Sequence, residues 1–521
     1  MFTGTLLPYQ PEAVDRMVER KAMLVAYEMG LGKTVLTIAA IERLREQGEI
    51  TGPGLVVALS SLKYQWKKSI EQFTSGTATA LVIDGTKKQR MAQYEESENY
   101  DYVILNYESV VNDWAVVNTL SRSFVVLDEA TAIKSFRAKR SKAAKKLTSP
   151  IRFALTGTPL ENGRPEELFS IMQFVDPHLL GRFDLFDRTF IVRNSFGAPV
   201  NYRNLQVLHS KIKEASTRKS QSDPDVAPHL PETIHLDPIT PSLDRASATL
   251  YNKIRQDLLD ELDEAQSLFG TSFNVMSHYG MESDQGGPAD EIRGRIMSRV
   301  TALRMLCTDP QLLRDSADNF TGMTGKGSQY LAYLLDEGFL DGNFHPVKID
   351  AVTSYVNDFL ELDSANKAVI FCGFVSTLDR IGDGLSADSV LYSGQMSSKE
   401  KEHYKELFQT DPEVRVLISS DAGGYGVDLP QANLLVNANL PWSSGAMLQR
   451  NGRIKRASSQ WKTVVVQDIL IANSIEVRQH QMLNQKSAVA AAIVDGVGID
   501  DKGGLKLTVG SLRQFLDAVT V

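Results

Sequence analysis

The 521-residue sequence has little cysteine and no long apolar run. Its two cysteines, Cys307 and Cys372, stand in the apolar stretches RMLCTDP and VIFCGF, which predicts reduced core thiols and argues against a disulfide or metal site. No apolar stretch reaches the roughly 18 residues that a membrane-spanning helix needs. The first residues, MFTGTLLPYQPE, also lack the pattern of a targeting peptide. We therefore expect a cytoplasmic protein.

An overall positive charge is also missing, because the net charge is −8. Any binding of nucleic acid must then come from local basic patches. Hydrophobic and charged contents of 42% and 23% are ordinary for a globular protein. Since single cores rarely grow beyond about 250–300 residues, the length predicts two or more domains.

Short β-rich runs alternate with helical patterns in the first and last parts of the chain, which indicates βαβ units on parallel sheets. Between them lies a long amphipathic pattern, LDRASATLYNKIRQDLLDELDEAQSLF. The predicted fold class is α/β, with two parallel-sheet lobes joined by a mostly helical insertion. We place the N-terminal lobe at 1–235, the insertion at 236–345 and the C-terminal lobe at 346–521.

The stretch VAYEMGLGKTV has most of a phosphate-binding loop but lacks its opening glycine, because Tyr27 stands there. In such loops backbone amides hold the phosphates, the lysine neutralises their charge and the hydroxyl binds Mg²⁺. Gly32, Lys33 and Thr34 match this pattern. The apolar run before the stretch and the helical spacing after it would place the phosphates at a helix N-terminus. The alternative is an ordinary strand-to-helix turn that contains glycine.

Two adjacent carboxylates follow the apolar run FVVL at Asp128 and Glu129. A carboxylate at the end of a strand can hold the water shell of Mg²⁺, and its neighbour can accept the proton of an attacking water. The alternative is an acidic helix N-terminus.

Three segments are locally basic. AMLQRNGRIKRASSQ carries Arg450, Arg453, Lys455 and Arg456, and no acidic residue occurs between Asp428 and Asp468, which favours contact with phosphate over a solvated helix. The segments 134–146 and 63–69 could bind a nucleic-acid backbone through counterion release, or could be solvated helix faces. The candidate DNA contacts in them are Lys63, Lys67, Lys134 and Arg137.

The ordered series LPYQPEAV, EMGLGKT, DEATAIKS, LTGTPLEN, VIFCGFVSTLDRI, DAGGYGVDLPQANLLV and QRNGRIKR resembles the motifs of the Swi/Snf-like DNA translocases of helicase superfamily two. The resemblance covers nearly the whole chain, and so many motifs in order are very specific. It also accounts for Tyr27, because the phosphate loop of the family lacks the opening glycine.

The resemblance implies two RecA-like lobes that bind ATP and Mg²⁺ between them, helical protrusions, and double-stranded DNA as partner. It assigns Lys33, Asp128, Glu129, Arg453 and Arg456 to catalysis, the two arginines as fingers from the second lobe. Thr34 and Asp128 would hold the metal. The nucleotide-binding residues that it implies are Gln10, which would read adenine, and Gly30, Gly32, Lys33, Thr34, Gly424 and Gln449.

The function implied is ATP-driven movement along duplex DNA that remodels or displaces protein–DNA complexes. A strand-separating DNA or RNA helicase and a nucleotide-gated DNA clamp or scaffold are the alternatives. Thr131 departs from the His or Gln common after Asp-Glu-Ala, which leaves the strength of DNA stimulation open. Few residues lie outside the motifs, so we expect a compact motor protein of phage or prokaryotic source. A phage-encoded protein would work in the cytoplasm of the host cell.

Overall fold

Two parallel β-sheets form the framework of the computed structural model. The structure describes residues 1–161, 163–193, 199–271, 273, 275, 287–320, 327–421, 427–483, 510, 513 and 516. Within these ranges no helix has both the length and the apolar character that crossing a bilayer requires.

The first lobe is built on a seven-stranded sheet. The strands of this lobe are β1 (Ala22–Tyr27), β2 (Gly54–Ala58), β3 (Ala80–Val82), β4 (Tyr102–Asn106), β5 (Phe124–Leu127), β6 (Ile151–Leu155), β7 (Ile191–Arg193), β8 (Pro199–Tyr202) and β9 (Ser216–Lys219). The sheet order is β3-β4-β2-β5-β6-β1-β9, and β7 and β8 form a separate antiparallel pair. Successive residues of β1, Leu24 and Val25, belong to different hydrophobic cores, so helices cover both faces of the sheet.

Ten α-helices belong to the described part of the first lobe. They are α1 (Pro11–Arg20), α2 (Lys33–Glu46), α3 (Lys63–Phe73), α4 (Lys87–Glu95), α5 (Tyr107–Asn112), α6 (Trp114–Val117), α7 (Lys139–Ala144), α8 (Pro165–Val175), α9 (Phe183–Phe190) and α10 (Leu205–Glu214). Local sequence sets their ends: Thr86 and Gln89, for example, form a capping box that begins α4.

The second lobe has a six-stranded parallel sheet in the order β10-β15-β14-β11-β13-β12. Its strands are β10 (Glu232–His235), β11 (Ala368–Phe371), β12 (Asp388–Tyr392), β13 (Val414–Ser419), β14 (Leu434–Asn437) and β15 (Thr463–Asp468). The helices assigned to this lobe are α15 (Val347–Leu362), α16 (Leu378–Asp383), α17 (Ser398–Thr410) and α18 (Ser444–Asn451).

The insertion between the sheets is helical, as its sequence pattern predicts. Its helices are α11 (Arg245–Phe269), α12 (Pro288–Thr308), α13 (Gln311–Asp318) and α14 (Gln329–Asp336). Leu250, Ile254 and Leu258 recur along the buried face of α11, and they pack with α12 in one core. Cys307 and Cys372 are both buried and free, which confirms the prediction of reduced core thiols.

The predicted boundary after residue 235 is wrong by one strand. β10 pairs with β15, so residues 232–235 belong to the second sheet although they precede the helical insertion. This strand lies at the edge of the sheet, and its side chains in ETIH are mostly exposed. It therefore lacks the buried apolar run by which the central strands are recognised.

Candidate functional site: the cavity between the lobes

A cavity of about 600 Å³ lies where the two lobes meet. It is lined from the first lobe by the segment before α1, the loops after β1 and β5, and helix α3, and from the second lobe by Asp428 and the segment after α18. Most of the predicted nucleotide and catalytic residues border it, namely Gln10, Gly30, Gly32, Lys33, Thr34, Asp128, Glu129, Arg453 and Arg456.

The loop between β1 and α2 has the conformation that its glycines allow. Gly30 and Gly32 have φ values of 78° and 79°, in the left-handed region where a side chain is strained. Gly32 precedes the first residue of α2, and Lys33 and Thr34 follow within the first turn. The N-terminus of α2 therefore borders the cavity, which suits a bound phosphate.

The structure shows the contacts of Tyr27, which stands where a phosphate loop usually has its opening glycine. The Lys33 ammonium donates to the backbone oxygens of Tyr27 and Glu28, at 3.0 and 3.3 Å. Tyr27 thus serves the site through its backbone, while its side chain is buried in the core and its hydroxyl donates to the Tyr9 oxygen at 3.2 Å. Burial lowers the pKa of Lys33, and the carboxylates of Glu129 and Asp128 oppose that shift.

The two adjacent carboxylates have opposite surroundings. Asp128 accepts from the Trp66 indole at 2.7 Å and from the Glu129 backbone N–H at 2.9 Å. Glu129 has a left-handed φ of 46°, and its Oε2 is buried without a hydrogen-bond partner among the described residues. Burial raises the pKa of both groups, and the charge of Asp128 raises the pKa of Glu129 further. One carboxylate is fixed, and the other is available to accept a proton.

Gln10 lies against the phosphate loop. Its Nε2 donates to the Leu31 oxygen at 3.0 Å, and its Oε1 accepts from the Leu7 N–H at 2.8 Å. A Cβ at position 32 would come within 2.3 Å of this Nε2, so Gly32 is also needed for the close packing. The side-chain amide keeps one donor and one acceptor site beyond these bonds, so the adenine contact stays a prediction.

The two predicted arginine fingers enter the cavity from the second lobe. Arg456 forms an ion pair with Asp428 at 2.6 Å, and its Nε is buried with no hydrogen-bond partner in the described part of the chain. A Cβ on Gly30 would lie 2.8 Å from Arg456 Nη1, so this guanidinium packs on the phosphate loop. The charge of Arg453 counteracts the rise in the pKa of Glu129.

One face of α18 forms the contact between the lobes beside this cavity. Gly445, Gln449 and Gly452 are spaced i, i+4, i+7 and therefore lie on that face. The Gly445 N–H donates to the Glu161 oxygen at 3.1 Å, and Gln449 Nε2 donates to Thr158 Oγ1 at 3.4 Å. A Cβ on Gly445 would lie 2.7 Å from Glu161 Cγ, which real side chains do not tolerate.

Other predicted residues lie elsewhere. Gln449 is at the lobe contact just described and does not line the cavity. Arg450 of the basic segment is buried within the second lobe, where it pairs with Asp421 at 2.6 Å and donates to the Asn439 oxygen at 2.5 Å. The expected phosphate contact therefore does not extend to Arg450. Gly424 lies outside the described residues.

The residues predicted to contact DNA differ in how accessible their side chains are. The prediction for Lys63 is wrong, because its side chain is buried and its ammonium bonds to the Ile83 oxygen and the Asp84 carboxylate, at 2.8 and 3.0 Å. Lys134 is half-buried and paired with Glu161 at 2.5 Å. Arg137 is exposed and Lys67 is half-buried, 3.9 Å from the Glu71 carboxylate, so both stay predictions.

Sequence reasoning assigned no role in the site to the residues that hold the phosphate loop from behind. Arg218 donates to Glu28 Oε1 at 2.6 Å, and the Gln221 backbone N–H donates to Glu28 Oε2 at 2.8 Å. Gln221 Nε2 also donates to the Met29 oxygen at 2.8 Å. The signal was the polar run STRKSQ, whose position next to β1 only the sheet order reveals.

The lobe contact can be tested with Gly445→Ala. The added methyl group should push α18 away from Glu161 and thereby shift Arg453 and Arg456. Because a misplacement of about 1 Å can lower a reaction rate 10²-fold, ATP turnover should fall by about that factor. Nucleotide affinity should change little, since the phosphate loop belongs to the first lobe. Gly294→Ala is the matched control, because a Cβ there meets nothing within 4 Å. Unchanged turnover in Gly445→Ala would contradict the contact.

Comparisons with known proteins identify two family domains in this chain. The SNF2-related domain matches residues 9–312, and the helicase conserved C-terminal domain matches residues 348–458. A Mycoplasma genitalium protein named as an uncharacterised ATP-dependent helicase is 27% identical over 93% of this chain, which spans only 42% of that protein. The Gallus gallus DNA repair and recombination protein RAD54-like is 26% identical over 95% of this chain and 68% of its own length.

A solved structure, the Sulfolobus solfataricus SWI2/SNF2 ATPase core in complex with dsDNA, aligns over 95% of this chain and 94% of its own, with 23% identity and a TM-score of 0.43. The first family model alone matches more than half of the sequence. The chain belongs to the SNF2-related family, ATP-dependent enzymes of helicase superfamily two.

Proposed function

We propose that this protein hydrolyses ATP to move along double-stranded DNA and thereby remodels or displaces proteins bound to it. The observation that carries the proposal is the composition of the cavity, in which a phosphate loop and two carboxylates from one lobe face two arginines from the other. Such a site is complete only while the lobes are together. A change in lobe spacing therefore changes both hydrolysis and the grip on a bound polymer.

The residues present fit Mg²⁺ together with ATP as substrate. Mg²⁺ is usually held by one or two carboxylates, substrate phosphates and several waters, and Asp128 and Thr34 would supply the protein oxygens. Among the described residues no group of three or more His, Cys, Asp or Glu side chains could hold a metal ion. When bound, the ion would neutralise phosphate charge. Lys33 and the backbone N–H groups at the start of α2 would hold the phosphates.

Glu129 is the proposed general base. Burial and the neighbouring Asp128 raise its pKa, so it takes up a proton more readily than an exposed glutamate does. Its Oε2 has no hydrogen-bond partner among the described residues, so an attacking water could occupy that place. Arg453 and Arg456 would stabilise the charge that develops on the transferring phosphoryl group.

Double-stranded DNA is the proposed partner. The exposed Arg137 and the half-buried Lys67 offer positive charge on the first lobe, which carries the phosphate loop. The name of the Gallus gallus relative, a DNA repair and recombination protein, also favours DNA over RNA. DNA that contacts both lobes would favour their closed arrangement and so promote hydrolysis.

The two alternative functions, a strand-separating helicase and a nucleotide-gated clamp, would require different features of the chain. A strand-separating helicase requires a segment that divides the strands, and no motif in the sequence indicates one. A nucleotide-gated clamp must bind nucleotide but need not hydrolyse it quickly, so it would tolerate loss of Glu129, yet Glu129 is present and lines the cavity.

The polymer preference can be measured directly. We expect duplex DNA to raise ATP turnover more than single-stranded DNA or RNA does, because the proposed track is the duplex. Turnover is compared with no nucleic acid, duplex DNA, single strands and RNA at one salt concentration, since phosphate contacts depend on salt. Lys33→Ala provides the background in each case. Equal or greater stimulation by RNA would refute the proposed partner.

The roles of Lys33 and Arg456 can be separated. Lys33→Ala should weaken nucleotide binding itself. Arg456→Ala should keep ATP and duplex affinity within a few-fold and lower DNA-stimulated turnover by about 10³–10⁵, because an arginine finger acts mainly on the transition state. Arg478→Ala is the control, since Arg478 bonds to Gln481 outside the cavity. If Arg456→Ala keeps normal hydrolysis but loses duplex binding with a smaller salt dependence, Arg456 contacts the DNA backbone instead.

A further inference from the structure

The indole of Trp66 bonds to a carboxylate in the cavity. Trp66 is 1% exposed, and its Nε1–H donates to Asp128 Oδ2 at 2.7 Å. Hydrogen bonds to an ionised acceptor are about twice as strong as neutral ones. This hydrogen bond therefore favours one orientation of the Asp128 carboxylate and favours its ionised form.

Asp128 is held at each of its polar atoms. Its backbone N–H donates to the Val57 oxygen at 2.8 Å, and its backbone oxygen accepts from the Tyr107 hydroxyl at 2.7 Å. Oδ1 accepts from the Glu129 N–H and Oδ2 accepts from Trp66, so both ends of the carboxylate plane are fixed. The remaining lone pairs then have a defined direction, in contrast to Glu129 Oε2, which lacks a hydrogen-bond partner in the described ranges.

Helix α3, which carries Trp66, is itself held firmly. Lys63 bonds to Asp84 at 3.0 Å, and the Tyr64 hydroxyl donates to the same carboxylate at 3.0 Å. Gln65, Trp66 and Ser69 of this helix line the cavity. The buried Lys63 thus anchors the helix that supplies the indole and forms one wall of the site.

We propose that Trp66 is a positioning residue for the metal site, which orients Asp128 so that the carboxylate can hold Mg²⁺. The proposal rests on the proposed function only in assigning Asp128 to the metal. Partners of metal-binding groups typically change metal affinity by 10–100-fold when they are removed. Trp66 would have this effect through its hydrogen bond to Asp128, without being a ligand of the ion.

The test measures metal binding apart from turnover. Mn²⁺ replaces Mg²⁺, and its affinity for the complex with ADP is measured by electron paramagnetic resonance. Trp66→Phe keeps an aromatic ring and removes the N–H, so we expect Mn²⁺ affinity to fall about 10–100-fold. ADP affinity in EDTA and the unfolding temperature should change little. Trp461→Phe is the matched control, because it also removes a 2.7 Å indole hydrogen bond, in this case to the Gln431 oxygen outside the cavity.

Unchanged Mn²⁺ affinity in Trp66→Phe would overturn the proposal. A parallel loss of ADP affinity in EDTA and of thermal stability would also overturn it, because Trp66 would then act through packing. If Trp66→Phe does not fold, benzothienylalanine at position 66 keeps the shape of tryptophan without the N–H and decides the same question. Asp128→Asn tests the premise that Asp128 holds the metal. If this variant leaves Mn²⁺ affinity unchanged, Asp128 does not hold the metal. The metal assignment then fails, whatever the result for DNA-stimulated turnover.

Discussion

The close approach of α18 to the first lobe is the constraint on which the site depends. Gly445 and Gly452 allow the backbone of this helix to lie against Glu161 and Met29, where a Cβ would come within 2.7 to 3.1 Å of its neighbours. Only at this spacing do Arg453 and Arg456 reach the cavity that contains Lys33 and Glu129. The geometry of the helix contact therefore determines whether the proposed catalytic groups are assembled.

The buried charged residues make the site sensitive to separation of the two lobes. Burial lowers the pKa of Lys33 and raises the pKa values of Asp128 and Glu129, and the lysine and arginine charges partly compensate for the carboxylates. Separation of the lobes would remove Arg453 and Arg456 from this balance. Because interactions between charges strengthen in a water-poor cavity, the same few residues can link closure to the chemistry that ATP undergoes.

Much of the architecture could be predicted from the sequence, because buried parallel strands are continuous apolar runs. YVILN coincides with β4, and the long amphipathic pattern gives α11. The ordered motifs likewise predict the residues of the cavity. Contacts fixed by tertiary packing could not be predicted: Lys63 looks like a basic surface residue but is buried against Asp84, and Trp66 is next to Asp128 only once α3 packs on the sheet. The edge strand β10 lacks an apolar pattern and was missed for that reason.

The claim that these lobes form a motor on duplex DNA is tested most directly by displacement of a third DNA strand from a triplex. The account predicts that the protein releases the third strand from its duplex track when ATP is supplied, and does not do so with a non-hydrolysable analogue. A fork with the same duplex sequence should stay paired, because the track is followed without separating its strands. An intact triplex together with an unwound fork would contradict the account.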